Sequence, residues 1–458
     1  MLQFSRPLQL DSITPAGGTG LQRWQERYRD QLVSADEALQ VIQPHQTVII
    51  GMNGNIPAAL CHALGERLPS LPHLKLLGAG ALELFPFHRP EIAVQQHVQD
   101  AFISMATRPA MQQRAIDFLP FTTSLWPSDL LDGSRPVDVF LTSVSPPDEH
   151  GYCSFGFMLW ASLDLVEAAT IVIAEVDADH IVTYGDNYVH VSQLDYLVEK
   201  QAGSTFADVT STMGFAAPSD TDRQIAAHAA ALIQDGDTLQ LGAGTVSMAV
   251  VEYLKAKNDL GLHSEICPTG VPQLIAAGNI NGQYKTLNAR KAICTALWGD
   301  EFGLDFAHLN PSIELRRMRY TNNPRIIAQH DNMIAINNAL AIDLTGQITA
   351  ESFGPHMYSG VGGQLDFTIG AMLATNGRAV TVLPATAKDG TLSRIVPLHD
   401  EGAIVSVPRT YVNYVATEFG MVNLLGRSQR ERAELLISIA HPKFQDELRA
   451  AAKQLFWP

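Results

Sequence analysis

One stretch of this sequence occurs twice, and that repetition narrows the available folds more than any other feature. Val41-Ile-Gln-Pro-His-Gln-Thr-Val-Ile-Ile-Gly51 resembles Leu232-Ile-Gln-Asp-Gly-Asp-Thr-Leu-Gln-Leu-Gly242. Each copy reads as a helix end, a turn, a short apolar strand and a glycine-bearing loop that opens an alanine-containing helix. A second pair lies further along, where Asp148-Glu-His-Gly-Tyr-Cys-Ser154 resembles Asp343-Leu-Thr-Gly-Gln-Ile-Thr349, each after an apolar run. The two offsets are 191 and 195 residues. Matches at nearly one offset point to a duplicated α/β domain. The boundary is expected near Ala216–Ser219, giving halves of 1–215 and 216–458.

Short apolar runs alternate with amphipathic stretches throughout, as in a chain that winds helices around parallel strands. Expected strands are Thr47–Ile50, Val137–Val144, Thr170–Val176, Thr238–Leu241, Met333–Ile336 and Ala379–Leu383. Expected helices are Leu21–Leu32, Ala35–Ile42, Pro57–Arg67, Thr221–Ile233, Met248–Lys257 and Pro442–Leu455. Ser34-Ala-Asp-Glu37 reads as a capping box, and Ser219 or Asp220 caps the Thr221 helix.

Composition removes whole classes of function. Against 31 Lys+Arg stand 47 Asp+Glu, a formal net charge of −16. That balance argues against a nonspecific nucleic-acid binder or a protein of anionic membranes. It leaves room for a local pocket that holds one anionic ligand. The four cysteines form no C-x-x-C pair, so neither a structural zinc site nor a redox dithiol is expected. No apolar run is long enough to span a bilayer, and no signal peptide is recognisable, so the expected compartment is the cytoplasm.

No P-loop, H-E-x-x-H or G-x-S-x-G motif is present. Gly242-Ala243-Gly244-Thr245-Val246 follows a strand and opens a helix, with two glycines of a dinucleotide fingerprint but not the third. It is either a tight turn or a place where an anion approaches the backbone. Gly360-Val-Gly362-Gly363-Gln364 is too glycine-dense for an element interior, and its N–H groups suit an oxyanion as well as a flexible turn. Lys388-Asp-Gly-Thr-Leu-Ser393-Arg394 joins glycine to two cations, as an anion clamp or an exposed basic loop would. Gly78-Ala-Gly80 reads as turn chemistry. In His263-Ser-Glu265-Ile-Cys267, Glu265 is a candidate carboxylate nucleophile. His263 there reads as a hydrogen-bonded structural residue, and Cys267 as a small buried one.

Val144-Ser-Pro-Pro-Asp-Glu-His-Gly-Tyr-Cys-Ser-Phe-Gly156 resembles a signature of the acetyl-CoA hydrolase/transferase family. So do Leu262-His-Ser-Glu265, Asn322-Asn-Pro324, Ser359-Gly-Val-Gly-Gly-Gln-Leu-Asp-Phe367, Ser393-Arg-Ile-Val-Pro397 and Ala416-Thr-Glu-Phe-Gly420, in the same order. The resemblance implies two related CoA-transferase-type (NagB/RpiA-like) α/β domains with the active site between them. It implies ping-pong transfer of CoA between short-chain carboxylic acids through a γ-glutamyl-CoA thioester on Glu265. Asn322 is then the supporting amide, with Gly362 and Gly363 at the oxyanion hole. Gly242, Ala243, Gly244, Thr245, Val246, Ser359, Gly360, Lys388, Ser393 and Arg394 are the CoA contacts. No cofactor is permanently bound, since CoA and acyl-CoA are substrates. The partners are small carboxylates and a second copy of the chain, with no nucleic acid and no membrane.

Two positions depart from the family's pattern: Ile181-Val182 stands where a Pro-Arg pair is common, and Ile369 where a basic residue is common. Together they favour an unusual or less charged substrate. An acyl-CoA hydrolase with the same glutamate, and a non-catalytic acyl-CoA-binding protein, remain the alternatives.

Overall fold

The computed structural model describes residues 24–93, 95–126, 128–200 and 217–458. Residues 21–23 of the expected first helix and Ala216 of the expected boundary lie outside the described residues.

Seven strands form the first sheet: β1 (Thr47–Ile50), β2 (Lys75–Gly78), β3 (His97–Asp100), β4 (Asp117–Phe118), β5 (Val139–Val144), β6 (Ile171–Val176) and β7 (Tyr196–Glu199). Their order is β7-β6-β5-β1-β2-β3-β4, and every pairing is parallel. The second sheet holds β8 (Thr238–Leu241), β9 (Gly261–Leu262), β10 (Met333–Asn338), β11 (Arg378–Val382), β12 (Tyr414–Thr417) and β13 (Gly420–Asn423). Its order is β9-β8-β10-β11-β12-β13, parallel except for the closing β12–β13 hairpin.

The two sheets repeat one topology. The run β2-β1-β5-β6-β7 corresponds strand for strand to β9-β8-β10-β11-β12. Both echoes found in the sequence are echoes of hydrogen bonding. Gly51 N–H donates to the Leu141 carbonyl at 2.8 Å, and Gly242 N–H to the Ile336 carbonyl at 2.8 Å. Asp148 Oδ1 accepts from the N–H groups of His150 and Tyr152, as Asp343 Oδ1 does from those of Thr345 and Gln347. Gly151 and Gly346 occupy matching positions at φ +86° and +95°, a conformation that carries almost no penalty only for glycine.

Side-chain alternation assigns the faces of the first sheet. Val48, Ile50, Val139 and Leu141 pack outward with Leu60 and Leu64 of α1 (Ala58–Arg67). Ile49, Phe140 and Val172 join a core shared with Leu239, Ile334 and Val380 of the second sheet. Burying apolar surface from both sheets in one core holds the halves together. Among the described residues no helix is long and apolar enough to cross a membrane.

The expected capping box at Ser34 forms, and of Ser219 and Asp220 it is Ser219 that caps its helix, also in a capping box. Ser34 Oγ accepts from Glu37 N–H at 3.2 Å, and Ser219 Oγ from Asp222 N–H at 3.1 Å at the start of α2 (Asp220–Ala230). Ser219→Ala is expected to cost about 1 kcal/mol, read by urea denaturation. The Ala35–Ile42 helix is shorter than expected. It is α-helical over Ala35–Ala38, tightens to a 3-10 turn over Leu39–Val41 and ends before Pro44, which disfavours helical geometry in the preceding residue. The Met248 helix begins earlier than expected, since α3 spans Thr245–Leu254 with Gly244 as its N-cap.

Candidate active site

The His263-Ser264-Glu265 segment is held by its backbone from both sides. His263 N–H donates to Leu239 O, Ser264 N–H to Ile293 O, and Glu265 O accepts from the N–H groups of Thr295 and Ala296. The side chains divide the work. His263 is fully buried, with Nε2 2.8 Å from the Thr321 carbonyl, and so pins the residue before Asn322. Ser264 Oγ lies 3.2 Å from Leu241 N and ties the segment to the end of β8. Glu265 faces a cavity.

Asn322 ends the short helix Met318–Thr321 and is fully buried. Its Nδ2 donates to Glu265 Oε2. Gly363 caps α4 (Gln364–Leu373) beside this pair, and a Cβ there would overlap both the Glu265 carboxylate and the Asn322 amide. Hydrogen is therefore the only side chain that fits. The first-turn N–H groups of α4 have no intrahelical acceptor, and the helix dipole places positive potential at that end. Gln364 Nε2 is buried without a hydrogen-bond partner and belongs to the same wall.

Burial raises the Glu265 carboxyl from its ordinary 4.5 to about 7. The Asn322 hydrogen bond opposes that rise, and the Asp366 carboxylate adds to it. Asp366 is raised by burial to about 6, while hydrogen bonds from Ser124 pull it down. Those bonds, 3.0 Å from Ser124 N–H and 2.7 Å from its hydroxyl, tie the first turn of α4 to the other half of the chain.

The cavity has a volume of about 530 Å³ and takes its walls from both halves. Of the residues singled out from sequence, Glu265, Gly242, Ala243, Ser359, Gly360, Gly362 and Gly363 line it, and Asn322 reaches it through Glu265. Gly244 closes the turn at φ +143°, where a side chain would meet the Asn338 amide. Thr245 and Val246 are off the lining. Thr245 Oγ1 donates to Asp222 at 3.0 Å, and Val246 is a core residue. Lys388, Ser393 and Arg394 are also off it. Lys388 is exposed, Ser393 Oγ donates to Ile395 O, and Arg394 donates to the carbonyls of Thr386 and Leu340. Ile181, Val182 and Ile369 do not line the cavity either, so the preference for a less charged substrate loses its basis.

Gly80, read from sequence as turn chemistry, also lines the cavity, and sequence reading passed over most of the remaining first-half wall, including Met52, Asn53, Phe102 and Arg108. The echo was the available signal for part of it, since Met52 and Asn53 follow Gly51 as Ala243 follows Gly242. It also passed over Gln240 and Asn337, whose amides pair reciprocally at 2.9 Å across β8 and β10. That pairing satisfies two polar side chains in the middle of a buried sheet.

Known proteins are similar over nearly the whole chain. Residues 19–205 match the acetyl-CoA hydrolase/transferase N-terminal domain, and residues 299–452 match its C-terminal domain. The 4-hydroxybutyrate coenzyme A transferase of Clostridium kluyveri is 38% identical over 94% of this chain and 100% of its own length. The succinyl-CoA:cyclohexane-1-carboxylate CoA transferase of Geobacter metallireducens is 33% identical over 94% of this chain and 97% of its own. The crystal structure of RipA from Yersinia pestis superposes with a TM-score of 0.88 at 32% identity, covering 95% of this chain and 99% of that one. With both domain models matched in order around a cavity that brings a glutamate, an asparagine and a glycine-rich helix start together, the chain belongs to the acetyl-CoA hydrolase/transferase family of enzymes.

Proposed function

We propose that this enzyme is an acyl-CoA:carboxylate CoA-transferase for short-chain acids, working by a ping-pong mechanism on Glu265. The observation that carries this reading is the meeting of the Glu265 carboxylate, the Asn322 amide and the side-chain-free Gly363 at one wall of a cavity between the halves.

A Glu265 oxygen attacks the thioester carbon of acyl-CoA, the C–S bond breaks, and CoA thiolate leaves a mixed anhydride. The thiolate attacks the glutamyl carbonyl, releasing the first acid and leaving Glu265 as a CoA thioester. A second carboxylate attacks that thioester and again displaces the thiolate. The thiolate then takes the new acyl group and frees Glu265. Every bond broken is matched by one of the same kind, so no nucleotide or redox partner is needed. Each step passes through a tetrahedral oxyanion, for which the Asn322 amide and the N–H groups around Gly362 and Gly363 are suitable donors. Binding energy from the CoA arm, remote from the reacting atoms, contributes to the chemical step. Asn322→Ala is expected to lower kcat about 10²-fold in acetyl-CoA exchange assays, since one donor is removed and the glutamate is left unsupported.

Only the ionised carboxylate is a nucleophile. With the Glu265 group at about 7, kcat/KM for acyl-CoA is expected to fall about tenfold per pH unit below 7 and to level off above it. A profile flat from pH 5 to 8 contradicts this.

The reading is tested by adding acyl-CoA without acceptor, reducing with borohydride or cleaving with hydroxylamine, and mapping the modified peptide. Label on Glu265 is expected, with release of the first acid limited to one equivalent per site until a second carboxylate is added, and with no free thiol formed. Acceptor-independent thiol release at full rate makes the enzyme a hydrolase instead. The protein is expected to be a homodimer, and a monomer in light scattering removes that part.

A further inference from the structure

Among the described residues that line the cavity, Glu265 is the one carboxylate and Arg108 the one cation. Arg108 starts a short helix in the first half and reaches across to the second. Its Nε donates to the Tyr358 carbonyl at 2.8 Å, and its guanidinium stacks 3.6 Å from the centre of the Tyr358 ring. These contacts use one donor and one face. They leave the two terminal NH₂ groups, the fork that matches a carboxylate in bidentate geometry. Arg108 makes no ion pair with an Asp or Glu among the described residues. The half-exposed guanidinium stands on a wall otherwise lined by uncharged side chains such as Leu82, Phe102, Met105 and Trp160, so its fork is open to an incoming anion.

We propose that Arg108 binds the distal carboxylate of a dicarboxylic substrate while the other carboxyl reacts at Glu265. The proposal rests on the transferase reading above and deepens it by naming a substrate class. Phosphate oxygens of CoA offer the same chemistry to a guanidinium, so the test separates the two sources.

The measurement is kcat/KM for acetate, propionate, succinate and glutarate as acceptors from acetyl-CoA, in the wild type and in Arg108→Gln and Arg108→Lys. With Arg108→Gln, kcat/KM is expected to fall about 10²-fold for the two dicarboxylates and to stay within about threefold for acetate and propionate. Arg108→Lys, which keeps the charge but not the fork, is expected to recover about tenfold of that loss. Three results overturn the proposal. A raised KM for acetyl-CoA with every acceptor assigns Arg108 to a CoA phosphate. An equal loss of kcat with all four acids makes it a strut for the Tyr358–Gly363 loop. A wild type that takes neither dicarboxylate leaves the guanidinium without this role. Failure of the transferase reading looks different, because no acyl-CoA then labels Glu265 in the wild type. Failure of this proposal alone leaves that label intact.

Discussion

Glu265→Ala is expected to lower kcat for CoA transfer by on the order of 10⁵, because the variant lacks the atom that carries both covalent intermediates. Borohydride after acyl-CoA then leaves no modified peptide at position 265, and exchange of labelled acetate into acetyl-CoA stops. A variant that keeps full transferase activity excludes the mechanism. Stability moves in the opposite direction. The folded-state group sits at about 7 against an ordinary 4.5, so the folded chain holds this proton more tightly than the unfolded one. The stabilisation this confers is complete below about 4.5 and is lost as pH rises through 7. Glu265→Gln, which cannot ionise, is therefore expected to melt higher than the wild type at pH 8 and to lose that advantage at pH 4.5. Nucleophilic competence and stability conflict at one side chain, as they do wherever a charge must be kept in a site built away from water.

Gly363→Ala is expected to cost about 10³ in kcat while the protein stays folded. Gly363 has φ −93° and ψ 3°, a conformation alanine adopts without strain, so the backbone does not object. The added methyl overlaps the Glu265 carboxylate and the Asn322 amide, and it must push one of them off its hydrogen bond. Gly362→Ala is the control. There φ is +59°, so alanine costs about 1–2 kcal/mol of stability, but the nearest atom to its Cβ is a Phe102 ring carbon at 3.8 Å. Adjacent substitutions are thus expected to separate cleanly, with kcat lost at 363 and stability lost at 362. Acetyl-CoA exchange rates and thermal melts of the two variants check this. Equal rates in both would remove the steric argument.

Much of this architecture was legible because parallel strands buried on both faces leave an unambiguous apolar trace. Thr238–Leu241 is read to the residue, and the sequence echo corresponds to equivalent hydrogen bonds in both halves. The convergence of Glu265, Asn322 and Gly363 was not visible in their spacing. It rested on resemblance, because residues separated by 57 positions meet only through the order of the strands. The basic loop lies away from the cavity wall, and Arg394 gives its Nε and one Nη1 donor to the carbonyls of Thr386 and Leu340. Arg108 carries no glycine cluster or motif around it and drew no attention, although it faces the cavity. One helix start, expected at Met248, was placed three residues late. Gly244 is the N-cap of α3, so Thr245 and Val246 belong to its first turn.

The repeated topology has an evolutionary consequence. The glutamate, the asparagine and the glycine helix start all belong to the second copy, while Met52, Asn53, Phe102 and Arg108 come from the first. On the proposed mechanism, bond exchange belongs to the second copy, and the first contributes wall around the bound acid. Mutations in the first can retune which acid is accepted without disturbing how CoA is moved.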